Sequence, residues 1–333
     1  VGAGARPRPP GPLAAAAAAG LADVAGAEVL AIPASHVVQR VSAAGRSVVV
    51  KVPGEEALAA GRTLAAEAFA YRLSTWRAGL ASVMPDVLLV DERRQVVVLA
   101  AAEDRTSGRD LLARGELPEP RAAAALGRSL ARLHRDTTGL PIPFRASDGV
   151  LELTSVPTPE ILLDRARALA LAVAADDVLG PALTRARRAW RPDCLVHGDV
   201  KWDNCLVEQA VDGPHVVLID WELSGLGDPA WDVAAALAGS FALERSLGVP
   251  GDDERRALAT AYWAQDGTAD PTRVAVLCPP RLVQLALECA ESGADLEASA
   301  LLEAARALVR EEQALRTTMA QWADSSRPAS AAS

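Results

Sequence analysis

The chain has 333 residues, half of them apolar, and a formal net charge of −9. That length buries a large core and accommodates two domains or lobes, while no uninterrupted apolar run reaches the roughly 20 residues of a membrane span. The acidic balance argues against non-specific binding to nucleic acid, and four cysteines without CxxC or CxxH spacing (Cys194, Cys205, Cys278, Cys289) fit free buried thiols in a reducing cytoplasm better than a metal site.

In chain order, residues 1–26 are rich in Ala, Pro and Gly and read as a disordered low-complexity extension. Arg6 and Arg8 ahead of an alanine run make a poor export signal. Residues 27–41 and 47–52 are rich in Val and Ile and read as strands joined by a turn at 43–46. A helix follows over 55–78, with Gly79 as its stop. Residues 87–90 and 95–100 form a hairpin around the charged turn 91–94. Beyond Ser107 the pattern turns helical: 120–134 opens on a proline and carries Leu126, Leu130 and Leu133. Two helices over 158–190 are broken near Gly180-Pro181. After a short strand at 211–219, helical segments run over 232–246, 252–265, 272–291 and 295–322, and a disordered tail covers 324–333. A small β-rich lobe followed by a large helical lobe is the architecture implied, α+β in class, with a hinge near 101–107.

Two segments concentrate the chemistry. Residues 195–207 carry an apolar run on each side of a polar core, which sets His197 to Asn204 on a loop between short buried strands. Asp199 and Asn204 are oxygen donors of the kind used with Mg²⁺ and hydroxyls. Residues 216–222 deliver Asp220 at the end of a buried strand. Two carboxylates and an amide brought to one place suit phosphoryl transfer, in which one carboxylate receives the attacking hydroxyl's proton and the others hold metal against the phosphates.

His197-Gly198-Asp199 followed by Asn204, then Ile219-Asp220-Trp221-Glu222, then Gly227-Asp228-Pro229-Ala230-Trp231-Asp232 resembles the aminoglycoside phosphotransferase and choline kinase superfamily. Three linked motifs in this order are specific where one would not be. The resemblance implies a two-lobed protein-kinase-like fold, with a nucleotide-binding lobe over 27–102 and a lobe over 103–323 carrying the catalytic loop and acceptor site. It implies Asp199 as the catalytic aspartate and Asn204 and Asp220 as Mg²⁺ ligands, with ATP or GTP as co-substrate. Lys51 matches the strand lysine that binds the α- and β-phosphates, and Glu67 its ion-pair partner. His197 would brace the catalytic loop, and Asp232 would hold its backbone. Lys201, two residues after Asp199, is read as catalytic support. No GxGxxG loop is present, and the corresponding turn at 32–36 offers Ser35 and backbone N–H groups to the nucleotide.

Of 34 basic residues only Lys51 and Lys201 are lysines, and chance placement on these two motif positions is about 1 in 560. A site needing a compact ammonium resists replacement by the wider guanidinium. Elsewhere the reading is structural. His36 is taken as a surface-loop residue, His134 as packed in the helical lobe, His215 as a solvent-facing turn residue, and Glu288, Glu291, Asp295 and Glu297 as a solvated helix face. The acceptor is a hydroxyl on a small molecule such as an aminoglycoside-like antibiotic or a metabolite. Two alternatives stay open: a kinase for Ser or Thr of a precursor peptide in natural-product (lanthipeptide-like) biosynthesis, and a nucleotide-binding pseudokinase scaffold, against which the intact Lys51, Asp199, Asn204 and Asp220 argue. Neither acceptor nor the choice of ATP over GTP is written in the chain.

Overall fold

The computed structural model describes residues 9–32, 36–54, 63–114, 119–146, 149–154, 164–248 and 250–326. Cα packing divides the chain into two compact units: Val1–Arg105 with Leu218–Leu223, and Thr106–Val217 with Ser224–Ser333. The α+β class expected from the sequence holds, with the larger sheet in the first unit and most helices in the second.

In the first unit, β1 (Glu28–Ile32), β2 (Val37–Ala43), β3 (Arg46–Val52), β4 (Val87–Asp91) and β5 (Val96–Ala100) form an antiparallel sheet in the order β1-β2-β3-β5-β4. The expected strand over 27–41 is therefore two strands. The β2–β3 hairpin turns at Ala44 and Gly45, both at positive φ (50° and 74°), because two left-handed residues match the twist of the flanking strands. Side chains alternate across a strand, so β3 sends Val48 and Val50 to one face and Lys51 to the other.

The first face is covered by the segment expected to be disordered. Residues 12–26 contain a helix, α1 (Pro12–Ala18), and a single 3₁₀ turn, Val24–Gly26. Ala15, Ala16 and Leu21 join one buried cluster with Val41, Val48, Val50, Val96 and Val98. Alanine, weak as a hydrophobe, lets this helix approach the valine face closely. The helix read over 55–78 is described as α2 (Ala65–Trp76). It ends because Arg77 takes an extended backbone, and Gly79 lies inside a short following helix, α3 (Ala78–Ala81). Leu218–Leu223 is held here by the Leu218 N–H donating to the Val83 carbonyl (2.9 Å) and by Trp221, fully buried, whose Nε1 donates to the Leu218 carbonyl (2.9 Å).

The second unit is helical around three short strand pairings. Strand β6 (Arg105–Ser107) is followed by helix α4 (Gly108–Ala113) and by α5 (Pro120–Thr137), which buries Leu126, Leu130 and Leu133 along one stripe. Helices α6 (Gly149–Glu152), α7 (Asp164–Ala175) and α8 (Leu179–Ala189) come next. The break between the last two lies at Asp176, not at Gly180-Pro181. The Asp176 carboxylate accepts from the N–H groups of Val178 and Leu179 (2.9 and 2.8 Å) and starts α8, in whose first turn a proline is tolerated.

Strand β7 (Cys194–Val196) pairs antiparallel with β10 (Gly225–Gly227). Strands β8 (Cys205–Ala210) and β9 (Gly213–Leu218) join β6 in the order β6-β8-β9. The strand expected over 211–219 begins only at Gly213, since Val211 and Asp212 make the turn, and His215 is half-buried on the strand and not in an exposed turn. Helices α9 (Pro229–Leu247), α10 (Asp252–Ala264), α11 (Pro271–Ser292), α12 (Asp295–Arg310) and α13 (Glu312–Ser326) complete the unit. The single helix read over 295–322 is thus divided at Glu311, and helix continues into the expected tail as far as Ser326.

The packing of α1 makes a prediction. Ala16 is fully buried in the valine cluster, so Ala16→Asp places an unpaired carboxylate there and should lower stability by more than about 2 kcal/mol. An unchanged urea midpoint in that variant would show that the segment contributes nothing to the core.

Candidate active site

In the first unit, strand alternation brings the Lys51 ammonium against three carboxylates. Its Nζ lies 2.8 Å from Glu67 Oε2 on α2, 2.5 Å from Asp220 Oδ1 and 3.6 Å from Glu222 Oε2. Lys51 is 5% and Glu67 1% exposed. Burial alone would lower the lysine's pKa, but Glu67, Asp220 and Glu222 outweigh it and hold the ammonium above its ordinary range. Burial raises Glu67, with Lys51 opposing. One cation among three acidic groups leaves the cluster short of positive charge.

Asp220 adopts a left-handed backbone (φ 67°), unusual for a residue with a Cβ, though Asp tolerates it better than most. Glu222, two residues on in the 3₁₀ turn Trp221–Leu223, is a partner that the sequence reading quoted in a motif without a role. His36 differs from expectation too: it is buried, and its Nε2 lies 2.9 Å from Glu222 Oε2. Ser35, proposed for the nucleotide, lies outside the described residues.

In the second unit, the polar loop 197–204 runs between β7 and β8 as the flanking apolar runs suggested. Its start is pinned by Asp232, fully buried on α9, which accepts from the backbone N–H of His197 (2.7 Å) and of Gly198 (2.9 Å). His134 Nε2 meets the same carboxylate at 3.1 Å, and His134 Nδ1 meets the Tyr262 hydroxyl at 2.9 Å. Burial would raise Asp232, yet His134, His197 and the peptide donor outweigh it and hold the carboxyl below its usual range. Gly198 sits at φ 84°, a conformation that glycine adopts without steric cost.

Asp199, 8% exposed, is gripped by its neighbours. Its Oδ2 lies 2.9 Å from Lys201 Nζ and accepts from Asn204 Nδ2 (3.0 Å). The same Asn204 nitrogen donates to the Asp199 carbonyl (2.9 Å). Arg281 NH2, on α11, stands 3.7 Å from Oδ1. Burial pushes the Asp199 carboxyl up, but Lys201 and Arg281 more than reverse this, so it is ionised well below neutrality. Lys201 also reaches Glu288 Oε2 at 3.4 Å, so Glu288, read as part of a solvated face, partners a motif lysine. Trp202, Trp221 and Trp231 are all buried, and Trp202 Nε1 donates to Glu254 Oε1 (3.0 Å). The structure thus gathers Lys51, Glu67 and Asp220 in one unit, and Asp199, Lys201 and Asn204 in the other. Glu222, Glu288 and Arg281 are the participants that sequence reasoning missed, and for Arg281 no local motif signals it.

Asn204 spends its amide nitrogen on Asp199, which leaves its carbonyl oxygen, and Lys51 takes one oxygen of Asp220, which leaves the other. Oxygen donors of this kind fit a hard divalent cation. Among the described residues no grouping of three or more His, Cys, Asp or Glu is a ready-made metal site.

A model of the phosphotransferase enzyme family matches residues 27–277. Viomycin phosphotransferase from Streptomyces vinaceus is 37% identical over 105 residues, a stretch that spans 31% of this chain and 32% of that protein. A choline/ethanolamine kinase family protein from Mesorhizobium loti superposes with a TM-score of 0.54 at 22% identity, covering 89% of this chain and 98% of that one. Spectinomycin phosphotransferase APH(9)-Ia, in complex with ADP and spectinomycin, gives 0.54 at 10% identity, covering 86% and 93%. At these identities the solved structures establish the protein-kinase-like fold, and the family match extends over most of the chain: it belongs to the phosphotransferase enzyme family.

Proposed function

We propose that this protein transfers the terminal phosphoryl group of a nucleoside triphosphate, with Mg²⁺, to a hydroxyl of a small molecule. The observation that carries the reading is Asp199, a buried carboxylate held ionised by Lys201 and Arg281 and fixed by Asn204 on a loop anchored through Asp232. A carboxylate so easily ionised is a weak base at neutral pH. Its role is then to orient the attacking hydroxyl and to receive its proton late, as leaving-group charge develops. Lys51, fixed by Glu67, would contact the phosphates. Asn204 and Asp220 would hold Mg²⁺, which when bound neutralises phosphate charge. Lys201, beside Asp199, would offset charge on the transferred group.

For the acceptor, viomycin phosphotransferase and spectinomycin phosphotransferase support an antibiotic hydroxyl, and the choline/ethanolamine kinase neighbour supports an amino alcohol as the second choice. A panel of viomycin, spectinomycin, an aminoglycoside, choline and a Ser-containing peptide, read by phosphate transfer from labelled ATP and GTP, tests this reading. Labelling of the peptide alone would transfer the assignment to a peptide kinase.

ATP or GTP should raise the melting temperature clearly with Mg²⁺ and only slightly without it. A protein indifferent to every Mg²⁺-nucleotide would refute the kinase reading.

Asp199→Asn keeps the shape of the side chain but cannot take a proton. We expect kcat to fall on the order of 10²–10⁴-fold with nucleotide affinity little changed, whereas Asp220→Asn should weaken Mg²⁺-nucleotide binding as well. Steady-state kinetics together with nucleotide titration separate the two, and wild-type turnover in Asp199→Asn would remove that residue from the mechanism.

Lys51→Met strands Glu67 in the interior and should lower stability by about 3–5 kcal/mol, much of it recovered in Lys51→Met/Glu67→Leu. Both variants should lose nucleotide-dependent activity. Equal destabilisation of the single and double variants in urea would mean that Lys51 and Glu67 are not coupled.

A further inference from the structure

We propose that Arg281 is a positioning residue for Asp199, clamping the loop 197–204 from α11 at the Gly198 carbonyl and at the inner carboxylate oxygen. The inference deepens the phosphotransferase reading above and rests on it.

The two oxygens of Asp199 have different surroundings. Oδ2 faces Lys201 and Asn204, at 2.9 and 3.0 Å. Oδ1 is buried without a hydrogen-bond partner and faces Arg281 NH2 at 3.7 Å. From the same guanidinium, NH1 donates to the Gly198 carbonyl (3.2 Å) and to Gln284 Oε1 one turn along α11 (2.6 Å). The planar group stacks over the Trp231 ring, with Cζ 4.6 Å from its centroid. Trp231 sits next to Asp232, which holds the preceding peptide through the Gly198 N–H. Gly198 is therefore held through the peptide groups on both sides of its Cα, by its N–H and by its C=O, with its left-handed φ between them.

Arg281 is 1% exposed, and its Nε has no hydrogen-bond partner. Burying a charged group this way is costly, and an apolar residue of similar volume would fill the space with less strain on solvation. What the guanidinium adds is its geometry. One rigid fork reaches a carbonyl, a carboxylate and an amide oxygen while its face rests on an indole. Bonded by Lys201 and Asn204 on one oxygen and faced by the Arg281 charge at 3.7 Å on the other, the carboxylate is restrained in its rotation. Misplacement of a reacting group by about 1 Å can cost on the order of 10² in rate. A lysine offers a single point charge and cannot reproduce this set of contacts.

The test compares Arg281→Met, Arg281→Lys, Asp199→Asn and Arg281→Met/Asp199→Asn in hydrolysis of Mg²⁺·ATP to ADP, which needs no identified acceptor, together with melting temperature. We expect Arg281→Met to lower kcat 10- to 100-fold with KM for ATP within about twofold, and Arg281→Lys to recover little of the loss. In the Asp199→Asn background the same substitution should cost nothing further, since its effect runs through that carboxylate. Multiplicative losses in the double variant, or a rise in KM with kcat intact, would overturn the proposal as a general structural effect. Wild-type kcat in Arg281→Met beside a clear loss in Asp199→Asn would also overturn it while leaving the phosphotransferase reading in place. Wild-type kcat in Asp199→Asn itself would refute that reading first. Should Arg281→Met fail to fold, Gln284→Ala, which removes one anchor of the guanidinium, decides: a several-fold fall in kcat at constant KM supports the clamp, and no change overturns it.

Discussion

The second unit's chemistry hangs on the buried carboxylate of Asp232. Two consecutive peptide N–H groups, those of His197 and Gly198, end on its two oxygens, and His134 braces it from α5. Each of these groups would be an unsatisfied polar atom in the interior if the others were missing. The arrangement is therefore mutually dependent: the loop takes this shape only with the helices that carry His134 and Asp232 packed. Once it does, Asp199 leaves the anchored peptide at a defined angle, and Asn204, at the far end of the loop, closes back onto the Asp199 carbonyl and carboxylate.

The two charge clusters are balanced differently. Around Lys51, three carboxylates surround one ammonium, so the group is short of positive charge. Around Asp199, Lys201 and Arg281 surround one carboxylate, with Glu288 sharing the lysine. There the charges balance, and the two cations beside the aspartate keep it ionised. Lys51, Glu67, Asp199 and Arg281 are buried, where a charge is worth more than at the surface and an unpaired one is harder to tolerate.

Much of this was legible from the chain. Apolar runs on either side of His197 to Asn204 imply a loop pinned between strands, and the paired strand and turn at 205–218 do the pinning. The survival of lysine at 51 and 201 alone, in a chain that otherwise uses arginine, points to two places where an ammonium is required. Those two lysines make the closest contacts to the two motif aspartates. The weaker readings failed for identifiable reasons. An alanine-rich stretch looks unstructured when its partner surface is unknown, and α1 owes its place to a valine face formed by strands that follow it in sequence. Gly180-Pro181 resembles a helix break, but the Asp176 carboxylate, four and five residues earlier, turns the same residues into a helix start.

What the sequence determined by itself was therefore local or motif-borne: periodicities, turns, the order of the motifs and the choice of Asp199, Asn204, Asp220 and Lys51 as candidates. Tertiary structure decided the partners. Arg281 lies 82 positions beyond Asp199, in a helix whose stripe of buried residues gives no hint that one of them is charged for a purpose. Glu288 sits on what reads as a solvated face, and His36 on what reads as an exposed loop. Spacing along a chain encodes only contacts within a few residues, whereas a buried charge finds its counter-charge wherever packing brings an opposite group close enough to offset the loss of water.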